Sequence, residues 1–213
     1  MCRFLLLTSH EPCDVAQTVA QFAAMCQRSR GSDGDWQGDG WGVAWWHEAE
    51  AWQHHHSVAP IWTEAMIIQQ LPPTRQLVVH ARSASFAHQK GNVAYNQPYL
   101  WSTYAFVFNG FIQGVRLPRR IPGTIGAEKI RYLVQERLHQ GVTLQQALQG
   151  VVDVLVRHSR DIRACNLGLS DGHDYVTYNG NPHGVAYYQL HHTQHDTLRM
   201  TSSEPFGPWA WWP

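Results

Sequence analysis

The order of strand and helix signals along the chain limits its fold more than any single motif does. Residues 2–9 (CRFLLLTS) read as a buried strand that begins at the very terminus. A helix follows, with the apolar stripe Val15, Val19, Phe22, Ala23 and Cys26. Asp14 and Gln17 are spaced as a capping box at its start, and its end is expected near Arg30-Gly31. Residues 31–40 (GSDGDWQGDG) read as loop, and GVAWW at 42–46 with the alternating residues at 51–58 as a strand pair. A short helix over 63–71 leads through Pro72-Pro73 to a strand at 76–84 (QLVVHARSA). Asn109-Gly110, flanked by apolar runs at 104–108 and 111–115, is a strong two-residue hairpin signal. The next helix, 127–138, carries Ile130, Leu133, Val134 and Leu138 on one face; another starts at Thr143, capped with Gln146, and carries Leu148, Val151, Val152 and Leu155. Strands are expected at 164–170, 174–178, 185–191 and 197–203. Strands, then two helices, then strands again, with no repeat and no linker, favour one layered α+β domain over residues 2–213, with helices outside stacked antiparallel sheets.

Composition narrows the function classes. Sixteen basic and sixteen acidic residues balance to zero, with no Lys/Arg run that could track a phosphate backbone, so nucleic acid is not an expected partner. The apolar residues Phe4 to Leu7 are too few for a signal segment, and no run approaches the roughly 18 apolar residues of a membrane span. A cytoplasmic protein without a membrane partner is expected. Cys2, Cys13, Cys26 and Cys165 show no CxxC pairing, so reduced thiols are expected and no zinc site. The histidines at 54–56, with His191, His192 and His195, suggest a metal only at first sight, because adjacent strand residues point to opposite faces. No metal and no cofactor are expected.

Cys2 follows the initiator methionine, and methionine is usually removed before small residues. The mature chain would then carry a thiol and a free α-amine on one residue. That amine titrates at about 7.7 to 8.0, so near neutral pH it can take the thiol proton and later pass it to a leaving amine. The other reading of Cys2 is a small apolar residue that opens a strand.

Seven short segments occur in one order: MCR at 1–3, GDGWGV at 38–43, HARSAS at 80–85, NQPY at 96–99, FNG at 108–110, DG at 171–172 and SEP at 203–205. Together they resemble the class II glutamine amidotransferases, N-terminal nucleophile hydrolases with a four-layer αββα sandwich of two stacked antiparallel sheets. The likeness is greatest to stand-alone bacterial members, including the γ-glutamyl hydrolase of ergothioneine biosynthesis. The resemblance implies that Cys2 is the nucleophile and that Arg82 holds the substrate α-carboxylate, a task suited to a planar guanidinium fork. It also implies that Asn109 and Gly110 form the oxyanion hole, although Asn-Gly is equally a turn signal. Ser85 and Asn96 match positions near the substrate and the nucleophile, and Trp41 is expected to line the site. Glu204 is expected to be a structural hydrogen-bonding residue.

The pattern departs from the family at 124–128 (TIGAE), where the resemblance implies an aspartate that binds the substrate α-ammonium. With Glu128 aligned to the family glutamate, that position is Gly126. Free glutamine is then expected to be a poor substrate, and a structural role is expected for Glu128. The function expected is hydrolysis of a γ-glutamyl or related small-molecule amide through a Cys2 thioester. Two alternatives stand beside it: a glutaminase subunit supplying ammonia to a separate synthase partner, and a catalytically silent binding module of the same fold.

Overall fold

The computed structural model describes residues 1–29, 35–47 and 51–213. In chain order it contains β1 (Arg3–Cys13), α1 (Ala16–Gln27), β2 (Trp41–His47), β3 (Ala51–Ser57), α2 (Ala65–Gln69), β4 (Thr74–Ala81), β5 (Tyr99–Trp101) and β6 (Tyr104–Gln113). It continues with α3 (Gly126–His139), α4 (Leu144–His158), β7 (Asp161–Ser170), β8 (Tyr175–Gly180), β9 (His191–His195) and β10 (Leu198–Ser202). Six strands form one sheet in the order β3-β2-β4-β1-β10-β9, and four form a second in the order β5-β6-β7-β8. Neighbouring strands in both are antiparallel. No helix among the described residues is long and apolar enough to cross a membrane.

The apolar run of β1 explains the layering. Phe4, Leu5, Leu6 and Leu7 are all buried. Because strand side chains alternate, a run buried without gaps must be covered on both faces. Leu5 and Leu7 join Val19, Phe22 and Cys26 of α1 in one core, while Phe4 and Leu6 join Ala105 and Val107 of β6 in another between the sheets. A third core forms where Leu148, Val151, Val152 and Leu155 of α4 and Ile130, Leu133 and Val134 of α3 cover Leu167 and Leu169 of β7. The layers therefore run α1 and α2, first sheet, second sheet, α3 and α4, the expected αββα sandwich. The box at α4 forms as the sequence indicates: Gln146 N–H donates to Thr143 Oγ1 (3.2 Å), and Thr143 N–H donates to Gln146 Oε1 (3.0 Å).

Three local expectations are corrected. Asn109-Gly110 is not a turn: β6 runs unbroken, with Asn109 opposite Asn166 and Gly110 opposite Cys165 on β7. Pairing with β7 from Ala105 to Gln113 outweighs the two-residue turn propensity. Of the strand expected over 185–191 only His191 is in one, as the first residue of β9; a 3₁₀ turn occupies Ala186–Tyr188. Asp14 accepts from the Ala16 N–H (2.9 Å), but Val15 is the N-cap of α1 and the Asp14–Gln17 box does not form. The expected end of α1 near Arg30-Gly31 and the start of the following loop lie outside the described residues.

The two sheets pack closely at Gly168 on β7. A Cβ there would lie 2.6 Å from Leu6 Cδ1 and 2.8 Å from Val107 Cγ2, inside the core between the sheets. We predict that Gly168→Val lowers stability to chemical denaturation by about 1 to 3 kcal/mol, as overpacking does. Gly126→Ala, where nothing lies within 4 Å of the added carbon, should cost nothing measurable.

Candidate active site

The alternation that fills the core also aims the site. On β1 the even positions face the second sheet, so Cys2 continues the Phe4–Leu6 side. On β4, Val78 faces the second sheet, and His80 and Arg82 follow on its side; Phe4 lies opposite His80 in the ladder. On β6 the same step leads from Ala105 and Val107 to Asn109. Where the apolar filling ends, a cleft of about 640 Å³ opens between the sheets. Cys2, His80, Arg82, Ser85, Asn109 and Gly110 line it from the sheet side, and Gly126 and Lys129 line it from α3.

Cys2 is half-buried, with Sγ 3.4 Å from the Ser83 N–H, which donates to it, and 3.5 Å from the Ser83 carbonyl oxygen, to which the thiol donates. Burial pushes its thiol up, while the Ser83 N–H, the positive chain start, Arg82 and Arg3 pull it down. The Met1 ammonium is held by Asp35 (3.0 Å) and donates to the Tyr187 hydroxyl (2.7 Å). Next to it Arg3, fully buried, pairs through Nε with Glu204 (3.0 Å), and Ser29 donates to the same carboxylate (2.6 Å). Glu204 thus anchors the strand that presents Cys2, in keeping with the structural role expected of it. The remaining thiols do not line the cleft. Burial pushes Cys165 up to about 12 and holds Cys26 well above the ordinary thiol range.

Arg82 is 4% exposed. Its Nη2 donates to the Gln89 carbonyl (2.8 Å), its guanidinium lies 5.6 Å from the centre of the Tyr95 ring, and its Nη1 has no partner among the described residues. No carboxylate of the described residues forms an ion pair with it. A buried guanidinium without a counter-ion is costly, and an anion in the cleft removes that cost. Asn109 is buried, and its carboxamide makes no hydrogen bond with the described residues.

Two residues escaped the sequence reading although both lie inside the quoted segments. Gln97 grips the strand beside Asn109: its Oε1 accepts from the Phe108 N–H (2.6 Å) and its Nε2 donates to the Phe108 carbonyl (3.2 Å). His80 lines the cleft fully buried, with neither ring nitrogen hydrogen-bonded among the described residues; the Phe108 backbone approaches it without hydrogen-bond geometry. Burial, then Arg82 and His56, lower His80 to about 3.

Trp41 and Asn96 are not brought to the cleft. Trp41 has the parity of Val43 and so turns toward α1, fully buried, where Nε1 donates to Glu64 (2.5 Å). Asn96 donates to the Ser57 carbonyl (2.7 Å) and the Trp41 carbonyl (3.3 Å), which ties it to the ends of β2 and β3. Within the glycine-rich segment Gly42 sits opposite His80, and a Cβ there would meet the Gln97 carbonyl oxygen at 2.3 Å. Close packing beside the site accounts for that glycine. Glu128 accepts from the N–H groups of Thr124 (2.5 Å) and Ile125 (3.1 Å), so it caps α3, the structural role expected of it. The rings of His54 and His56 lie 5.1 Å apart, and no group of three metal-ligating side chains gathers among the described residues.

Two neutral histidines, His80 buried and His56 half-buried, give the fold a pH dependence with a definite sign. His80 and His56 are lowered to about 3 and about 4, against roughly 6.5 in an unfolded chain. Between those values the unfolded state binds protons that the folded state does not, so stability falls as pH drops below about 6.5. At pH 5 the His80 contribution alone amounts to a loss of roughly 2 kcal/mol relative to pH 8. Denaturant titrations of wild type and His80→Asn should show a shallower decline in the variant. Equal slopes would remove His80 from this account.

The sequence model described as class-II glutamine amidotransferases matches residues 1–203. A glutamine aminotransferase class-II domain protein from Silicibacter pomeroyi has a similar structure, at 14% identity and a TM-score of 0.59, over 100% of this chain and 91% of that one. A predicted glutamine amidotransferase from Pseudomonas aeruginosa matches at 14% identity and a TM-score of 0.56, over 99% and 94%. The glutamine phosphoribosylpyrophosphate amidotransferase from B. subtilis matches at 14% identity and a TM-score of 0.64, over 95% of this chain but only 42% of its own. No curated protein matches the chain in sequence. With the family pattern running through all but its last ten residues, the chain belongs to the class-II glutamine amidotransferases.

Proposed function

We propose that the protein hydrolyses a γ-glutamyl amide through a thioester on Cys2. The observation that carries this reading is the buried Arg82 guanidinium, which has no counter-ion among the described residues and shares a cleft with the Cys2 thiol. A γ-glutamyl group has the matching parts, a carboxylate at one end and an electrophilic carbonyl at the other.

Loss of Met1 turns the Cys2 nitrogen from a peptide amide into an α-amine that can act as a base. The amine takes the Sγ proton, and Sγ attacks the γ-carbonyl carbon. The negative oxygen that forms is stabilised by the Asn109 carboxamide and the Gly110 N–H, both on the cleft wall. The tetrahedral species collapses, the leaving amine takes the proton from the Cys2 ammonium, and a glutamyl thioester remains. Water then adds to the thioester carbonyl, again giving its proton to the Cys2 amine, and glutamate leaves as Sγ is restored. Arg82 holds the α-carboxylate throughout, which keeps the γ-carbon in register with Sγ.

Steady-state kinetics on a panel of γ-glutamyl amides test these roles. Asn109→Ala should lower kcat by about 100-fold to 1,000-fold with little change in KM, as expected of a donor used in the transition state. Arg82→Ala should act through binding, raising KM by about 10-fold to 150-fold, the worth of a hydrogen bond to a charged group. A rise in KM alone for Asn109→Ala would make it a ground-state contact. Unchanged KM in Arg82→Ala would remove the carboxylate clamp.

A further inference from the structure

The cleft carries charge of one sign only. Arg82 and Lys129 line it, and no Asp or Glu does so among the described residues. The acids nearest in sequence to its walls are engaged elsewhere. Glu128 caps α3, and Asp39 pairs with Lys90 (2.9 Å) and accepts from the Ala84 N–H (2.8 Å). A free ammonium bound here would meet two cations and no carboxylate of the described residues, an unfavourable field in a partly desolvated site.

The space beyond Arg82 is also larger and more apolar than a glutamyl group needs. At Gly126 nothing lies within 4 Å of where a side chain would begin. From there the cleft continues along Phe111, Val115, Leu117, Ile130 and Leu133, of which Ile130 and Leu133 are buried. With the γ-carbonyl at Cys2 and the α-carboxylate at Arg82, the α3 wall is the part of the cleft left open for the nitrogen of the substrate α-carbon.

We infer that the wall from Gly126 to Leu133 is a subsite for an apolar acyl substituent on the substrate α-nitrogen, so that the preferred substrates are N-acylated γ-glutamyl amides rather than free glutamine. Acylation removes the ammonium charge that the cleft cannot compensate and covers the apolar wall with carbon. This inference rests on the reading of Cys2 as nucleophile for its reaction, and on the cleft lining alone for its ligand.

Binding and turnover are therefore measured separately, on L-glutamine, N-acetyl-L-glutamine and N-octanoyl-L-glutamine. Calorimetry with Cys2→Ala reads affinity, and ammonia release by wild type reads chemistry. Both acylated ligands should bind at least 10-fold more tightly than glutamine, and the octanoyl ligand most tightly of the three. Gly126→Asp should raise glutamine affinity by about 10-fold to 100-fold through a new charge-assisted contact and weaken the acylated ligands. Val115→Asp, at a half-exposed position on the wall, should weaken the octanoyl ligand at least 5-fold and leave N-acetylglutamine within 2-fold, about the difference that contact with the outer methylenes makes. Glutamine bound as well as the acylated ligands and hydrolysed by wild type overturns the subsite and leaves the Cys2 chemistry standing. Preferential binding of the acylated ligands with none of the three hydrolysed keeps the subsite and overturns the Cys2 reading.

Discussion

Everything in this fold hangs on the burial of β1 from both sides. Four consecutive apolar residues cannot be satisfied by a sheet with one wet face, so the chain must supply a helix layer on one side and a second sheet on the other. β1 lies inside the first sheet, between β4 and β10, and its odd and even residues feed two separate cores. The same period of two then settles the site. The positions that fill the space between the sheets, followed to the strand ends, are Cys2, His80, Arg82 and Asn109. Core and site are one pattern, apolar where the gap is closed and polar where it opens.

The polar end is held by groups whose own hydrogen-bonding needs are met by the protein. Gln97 occupies both backbone groups of Phe108 and so fixes β6 beside Asn109, while Arg3 with Glu204 and Ser29 fixes the start of β1. Against that frame the cleft keeps the Arg82 guanidinium and the His80 ring, both buried and both short of hydrogen-bond partners among the described residues. Groups of this kind lower stability unless a ligand completes them, and they concentrate where ligands bind. His80 stays neutral across the ordinary pH range and leaves Arg82 as the buried cation of the sheet-side wall.

How much of this could be read from the chain depended on whether the signal was local or long-range. β1, α4 with its Thr143–Gln146 box, and β10 follow from apolar period and capping, which neighbours in sequence control. Asn109-Gly110 shows the opposite case, since its turn propensity is strong locally but the pairing with β7, more than fifty residues away, prevails. Trp41 was expected at the site because of its neighbours in sequence, yet one step of strand parity turns it toward α1. Gln97 and His80 lay within quoted segments, but their roles depend on partners in other strands and could not be read from spacing. The quoted motifs brought Cys2, Arg82, Ser85, Asn109 and Gly110 to one cleft, where Gly126 of the departing segment joins them, and left Asn96 beside it as a tie between strand ends.

The central claim is that the cleft joins a nucleophilic Cys2 to the Arg82 carboxylate receptor. Its most direct test is mass-spectrometric mapping of the thiol labelled by an electrophilic γ-glutamyl analogue that carries a free or acylated α-nitrogen. The account predicts one label per chain, on a Cys2 that has become residue one, with labelling strongly slowed in Arg82→Ala. Label on Cys13, Cys26 or Cys165, or label on Cys2 at the same rate with and without the Arg82 guanidinium, would contradict it.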